Sequence, residues 1–177
     1  MQIQRHIRID GPGGRPFLLD AFYLPHRPIT SVVVFAHGFK GFKDWGHWNL
    51  ISLDFAREGH LFVKFNFSFN GTSPEDPESF TDLEAFGQNN FSRELADLKA
   101  TLHWVMTEAP QLPGIQLQRQ SLCLIGHSRG GALAVCAAAQ LPAVTHLITW
   151  ASVSRLNYAW TAPGFIEEWK NRRLYYV

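Results

Sequence analysis

The segment that most constrains this chain is Gly126-His127-Ser128-Arg129-Gly130-Gly131, which follows an apolar run, Leu122 to Ile125, and opens an alanine-rich run, Ala132 to Ala139. Apolar residues, then glycines, then helix formers predict a tight strand-to-helix turn with a serine at its apex. Gly126 and Gly130 leave room where the backbone must reverse within a couple of residues. Ser128 then lies at the carboxyl end of a strand and the amino end of a helix. Unpaired N–H groups and the helix dipole favour developing negative charge there. The backbone N–H of Arg129 is the natural first donor to an oxyanion at that point.

The rest of the chain supplies strands and helices in alternation. Ile3 to Ile9 alternates polar and apolar residues and Phe17 to Leu24 is apolar-rich. The turn chemistry between them, Asp10-Gly11-Pro12-Gly13-Gly14-Arg15-Pro16, predicts an antiparallel hairpin. Ser31 to Ala36 is a continuous β-branched run, as expected of a strand buried on both faces. Trp48 to Glu58 has helical apolar spacing and closes at Gly59, His60 to Phe67 is extended, and Ser92 to Glu108 is an amphipathic helix with Glu94 and Asp97 near its start. The long polar connection from Ser68 to Asn90 is expected to be functional or to carry a small element of its own. Ser121 to Ile125 reads as the next strand, Arg129 to Leu141 as a helix, His146 to Val153 as a further strand, and Gly164 to Arg173 as helical. Such alternation predicts parallel β-α-β units with right-handed crossovers, hence an α/β sandwich with helices on both faces of a mostly parallel sheet.

Composition narrows the class. A chain of 177 residues suits one domain, 1–177, and 46% hydrophobic against 18% charged residues excludes a solvated disordered chain. A net charge of +1 with scattered basic residues gives no electrostatic reason for a nucleic acid or an anionic membrane as partner. Cys123 and Cys136 lie among apolar neighbours and read as buried free thiols, so neither a disulfide nor a metal site is expected, and no cofactor. The first eight residues are not a signal sequence and no run reaches the ~18 apolar residues that span a bilayer, which makes the cytoplasm the expected compartment.

A second oxyanion donor is expected from a neighbouring loop. The strand ending at Ala36 runs into His37-Gly38-Phe39-Lys40-Gly41-Phe42, where glycines let backbone amides approach a ligand, and the Phe39 N–H is the candidate. With HGF at 37–39, FNFSFNGTS at 65–73 and GHSRGG at 126–131 in this order, the chain resembles the α/β-hydrolase family. It is most similar to the dienelactone hydrolase-like and prolyl oligopeptidase-like branch, over about Ile3 to Val153. The resemblance implies a three-layer sandwich with an N-terminal antiparallel hairpin. It also implies a serine hydrolase cleaving an ester, amide or related bond of a small molecule or short peptide through an acyl-enzyme on Ser128. His37, Gly38, Gly126 and Gly130 would support that site.

The family pattern continues with an acid and then a histidine after later strands, the groups that orient and activate the serine. Neither matched position exists in this sequence, which supplies six of the family's eight strands and ends in what would be the start of a cap or connecting region, 154–177. His146 begins a parallel strand and so lies about 17–20 Å from the serine, at the other edge of the sheet. His127 points to the opposite face from its neighbour and reads as packing. His37 is the nearest surrogate base, ahead of His47. Glu167 and Glu168, and Glu75, Asp76 and Glu78 in the long loop, read as solvated charge. Lys40, Lys43 and Arg129 read as solvated charge or as a basic rim. Three readings follow: the N-terminal part of a truncated and impaired hydrolase, a non-catalytic member binding a ligand or protein at the old pocket, or an enzyme completed by a second polypeptide or by His37. An apolar edge strand at 146–153 would also invite self-association.

Overall fold

The computed structural model describes residues 1–156 together with Gly164, Glu167 and Asn171. Among them six strands form: β1 (Gln2–Ile9), β2 (Phe17–Tyr23), β3 (Pro28–Ala36), β4 (Leu61–Phe65), β5 (Gln116–His127) and β6 (His146–Trp150). They build one sheet in the order β1-β2-β4-β3-β5-β6. The turn-rich segment 10–16 joins β1 and β2 as the expected antiparallel hairpin, and β2 also runs antiparallel to β4. The pairs β3·β4, β3·β5 and β5·β6 are parallel, as strands separated by helical crossovers must be.

Four α-helices cross between them: α1 (Trp48–Arg57), α2 (Leu83–Gly87), α3 (Phe91–Thr107) and α4 (Arg129–Ala138). The apolar stripe of α3, with Leu98, Leu102 and Val105, and the small-residue face of α4, with Leu133, Ala134 and Ala137, share one core with Val32, Val34, Val63 and Leu124. On the other face Ala56, with Trp48, Ile51 and Phe55 of α1, packs on Phe22, Val33, Phe35, Phe62 and Ile125. Alternate residues of β3 thus feed opposite cores, which is why the run had to be apolar throughout. The result is a three-layer α/β sandwich.

Several boundaries differ from the sequence reading. β5 begins at Gln116 instead of Ser121, because Gln116 and Leu117 pair with Pro28 and Ile29 across an irregularity in register between Ile29 and Ser31. In this mostly polar stretch Leu117 packs against the core, and the strand is fixed by pairing with the neighbouring strand. β4 stops at Phe65, α4 at Ala138 and β6 at Trp150, each two or three residues before the expected end. The connection from 68 to 90 does carry an element of its own: α2, capped by Asp82, whose side chain accepts the Ala85 N–H at 3.0 Å. The expected tail helix at 164–173 lies mostly outside the described residues. β6 is an edge strand with Leu147 and Ile148 each 40% exposed. Cys123 and Cys136 are free and half-buried, and burial pushes the Cys123 thiol up.

Candidate active site

The turn after β5 forces Ser128 into φ 52°, ψ −120°, a conformation L residues rarely adopt. The strain persists because its backbone is held on both sides. The Ser128 N–H donates to the Trp150 carbonyl at 2.9 Å, and its carbonyl accepts from Gly131 at 3.0 Å and Val153 at 3.3 Å. Glycine makes the tight approach possible. A Cβ on Gly126 would stand 2.4 Å from the Gly130 carbonyl oxygen, and one on Gly130 would stand 2.4 Å from the carbonyl oxygens of both Ala36 and His37. Gly130 is therefore what lets the end of β3 lie directly against the start of α4.

That contact brings in the second expected element, the loop from His37 to Asp44. It touches the turn closely: a Cβ on Gly38 would be 3.0 Å from Ser128 Cβ. His37 is buried and engaged through both ring nitrogens, its Nδ1 with the Gly38 carbonyl at 2.8 Å and its Nε2 accepting the Phe67 N–H at 3.4 Å. Burial lowers its pKa to about 4, outweighing the opposing effect of the Gly38 bond. It is a neutral loop brace with no nitrogen left for Ser128, so a role as surrogate base fails on geometry. Gly41 N–H bonds Gly38 O at 3.1 Å, and Asn70 donates to Gly41 O at 3.1 Å.

The far end of the loop is tied down by charges. Lys43 is fully buried, which corrects its reading as a solvated or rim cation. Lys43 and Lys64 both donate to Asp20 Oδ2 at 2.9 Å, Lys64 reaches Asp44 Oδ1 at 2.5 Å, and Lys43 also bonds Asp44. Burial alone would raise the Asp44 pKa, but its bonds from the two lysines win and hold it at about 2. The Lys43 N–H donates to Asn66 Oδ1 at 2.6 Å, and Asn66 in turn bonds Thr72 and the Pro77 carbonyl, each at 3.1 Å. The FNFSFNGTS segment thus serves as scaffold for the loop through Asn66, Phe67 and Asn70. Nothing in the sequence of this segment marks these three residues as loop braces, since their partners in that loop lie 23–30 residues away.

Between loop and turn lies a cleft of about 250 Å³, walled by Phe39, Trp45, Trp48, His127 and Ser128, with Lys40 at its rim. Trp48 packs on Phe35 (4.5 Å), His127 (5.3 Å) and Trp150 (6.4 Å), so His127 has the expected packing contact while also lining the cleft. Among the described residues, neither the Ser128 hydroxyl nor the Phe39 N–H has a hydrogen-bond partner. All eight histidines are described, and none bonds Ser128. His146 pairs in register with Cys123, toward the start of β5, and its Nδ1 meets Thr145 Oγ1 at 2.9 Å. His47 precedes α1 and is exposed. Glu75 and Glu78 are exposed and Asp76 half-buried; Glu167 is exposed, and Glu168 lies outside the described residues. Arg129 is not a solvated rim charge either, since its guanidinium pairs with buried Glu94.

Comparison with known proteins agrees with this fold. The profile of an α/β hydrolase family matches residues 33–175. The chain belongs to the α/β hydrolase family. A lid-less α/β serine hydrolase from Xanthomonas campestris superposes with a TM-score of 0.65 at 23% identity, over 90% of this chain and 66% of that one. A dienelactone hydrolase from Anabaena variabilis gives 0.63 at 16% identity, over 86% and 65%. A thermostable carboxyl esterase from Bacillus coagulans gives 0.68 at 16% identity, over 97% and 51%. The chain thus spans between half and two thirds of the length of these structures. No curated protein matches it in sequence. Among the described residues no helix is long and apolar enough to cross a membrane.

Proposed function

We propose that this chain carries the nucleophile and the oxyanion hole of a serine hydrolase acting on an ester, amide or related bond. The observation that carries the reading is the strained Ser128, which stands at the head of α4, lines the cleft and has no hydroxyl partner among the described residues. Ser128 Oγ forms a bond to the carbonyl carbon of the substrate. The carbonyl oxygen takes up the negative charge, and the Phe39 and Arg129 N–H groups donate to it. Collapse of the intermediate breaks the bond to the leaving group and leaves an acyl-enzyme, which water hydrolyses.

The hydroxyl proton needs a base, and neither His37, engaged at both nitrogens, nor any other histidine of this sequence is bonded to Ser128. In this reading no described histidine serves as the base, and reaction at Ser128 without an added base is slow. The small-molecule or short-peptide substrate meets an aromatic wall formed by Phe39, Trp45 and Trp48. The competing reading is a non-catalytic binding member of the fold, which the unassisted serine favours.

Free imidazole separates the two. It can accept the hydroxyl proton while a fluorophosphonate phosphorus bonds to Oγ and fluoride departs. Imidazole-dependent phosphonylation at Ser128, abolished in Ser128→Ala, supports the hydrolase reading. An unlabelled protein under the same conditions supports the binding reading.

A further inference from the structure

The side chains of the two residues proposed as oxyanion donors touch each other. The Arg129 guanidinium carbon lies 4.6 Å from the centroid of the Phe39 ring and 5.2 Å from that of Phe91. The same guanidinium pairs with Glu94, which is only 2% exposed and whose Oε1 also accepts Asn89 Nδ2 at 2.7 Å. Phe39 also packs against Phe86 at 5.4 Å, and Phe86 against Phe80 at 4.7 Å. A chain of contacts therefore runs from α3 through the first residue of α4 to the middle of the loop after β3.

The backbone here needs such a tie. Phe39 has Gly38 before it and Gly41 two residues on, and Arg129 is followed by Gly130 and Gly131. Gly38 and Gly130 are required for the close approach of loop and turn, yet glycines stiffen neither segment. Phe39 is 48% exposed, so its ring adds little to the core. Arginine suits the junction because a planar guanidinium can stack on aromatic rings and hold a carboxylate at once. With Glu94 neutralising it, the Arg129 charge has its own counterion and is not held free for a substrate anion.

We propose that Phe39, Arg129 and Glu94 form a side-chain clamp that fixes the separation of the Phe39 and Arg129 amides, and so sets the width of the oxyanion hole. The ring of Phe39, the guanidinium of Arg129 and the carboxylate of Glu94 are positioning residues in this scheme. The inference rests on the assignment of those two amides as oxyanion donors.

Phe39→Ala, Phe39→Tyr, Arg129→Lys and the double variant Phe39→Ala/Arg129→Lys test it in the full chain. All keep both backbone amides, and Arg129→Lys keeps a cation for Glu94. Two readouts are taken: hydrogen exchange of the Gly41 amide, which bonds the Gly38 carbonyl inside the loop, and imidazole-supported phosphonylation of Ser128. Phe39→Ala is expected to speed Gly41 exchange and to slow the maximal phosphonylation rate, each about tenfold, with the thermal midpoint unchanged. Phe39→Tyr restores both values, and the double variant is no worse than Phe39→Ala.

Wild-type exchange and labelling in Phe39→Ala, or additive effects in the double variant, would overturn the clamp while leaving Ser128 as nucleophile. If the unmutated chain is not labelled at all, the assignment of Ser128 fails instead. Gly41 exchange then still decides the clamp: faster exchange in Phe39→Ala upholds it as the loop's tie, and unchanged exchange overturns it.

Discussion

The Ser128 amide donates to the Trp150 carbonyl at 2.9 Å, so the one strained residue of the β5–α4 turn is fastened to the end of the neighbouring strand. The strain is therefore stored locally and held in place by β6. Backbone in such a region costs a non-glycine residue about 1–3 kcal/mol. Ser128→Gly should accordingly be more stable than Ser128→Ala by about 1–2 kcal/mol, the reverse of the usual order. Urea unfolding of the two variants checks this, and a more stable alanine variant would mean that the turn is not strained.

Gly130→Ala should be strongly destabilising, by about 2–3 kcal/mol, because the new methyl would meet two carbonyl oxygens at 2.4 Å. Gly87→Ala is the matched control. It ends α2 with open space around it, and alanine there should be neutral or stabilising by up to about 1 kcal/mol. Equal effects in thermal or chemical unfolding would count against the close approach of β3 to α4.

Removing one buried lysine should cost far more than removing an exposed partner. Lys43→Met leaves Asp20 and Asp44 with Lys64 and the half-exposed Arg5 as cations but empties a buried donor site, and a loss of about 2–3 kcal/mol is expected. Arg57→Ala breaks the exposed pair with Asp54 and should change stability by less than about 0.5 kcal/mol. Denaturation midpoints of the two variants measure the contrast directly.

Stability should fall as pH rises from about 4 to about 6. Burial lifts the Asp97 carboxyl from 3.8 to about 6, overcoming the Ser68 N–H and hydroxyl that bond its Oδ2 and favour the charged form. The folded state thus keeps a proton that the unfolded chain has already released. The stability present below the unfolded value is lost as pH climbs to the folded one, by about 3 kcal/mol. Glu94 is pushed in the same direction by burial. Asp97→Asn keeps an oxygen for Ser68 and removes the charge. Its advantage over the unmutated chain should be near zero at about pH 3.5 and reach about 2–3 kcal/mol by about pH 7. Unfolding curves with a pH-independent difference would contradict this.

What the sequence made legible was local. The elbow could be read because its glycines, serine and flanking runs are consecutive. β3 could be read because a strand feeding two cores must be apolar at every position. The parts that escaped depend on partners far along the chain. Lys43 looks solvated until Asp20, 23 residues earlier, and Lys64 of β4 are brought beside it by strand pairing. Arg129 looks like a rim charge until α3 delivers Glu94, 35 residues earlier. Residues 116–120 carry no strand pattern of their own, and the register with β3 makes the start of them a strand. The use of both nitrogens of His37 becomes visible only with Phe67, 30 residues on, beside it.

The proposed nucleophile, Ser128, needs an added base before it can react. The most direct measurement is the rate of fluorophosphonate labelling as a function of imidazole concentration, with the adduct located by mass spectrometry. A single phosphonyl group on Ser128, formed at a rate that rises in proportion to imidazole and absent in Ser128→Ala, is the predicted result. No adduct, or an adduct elsewhere that persists in Ser128→Ala, would contradict it.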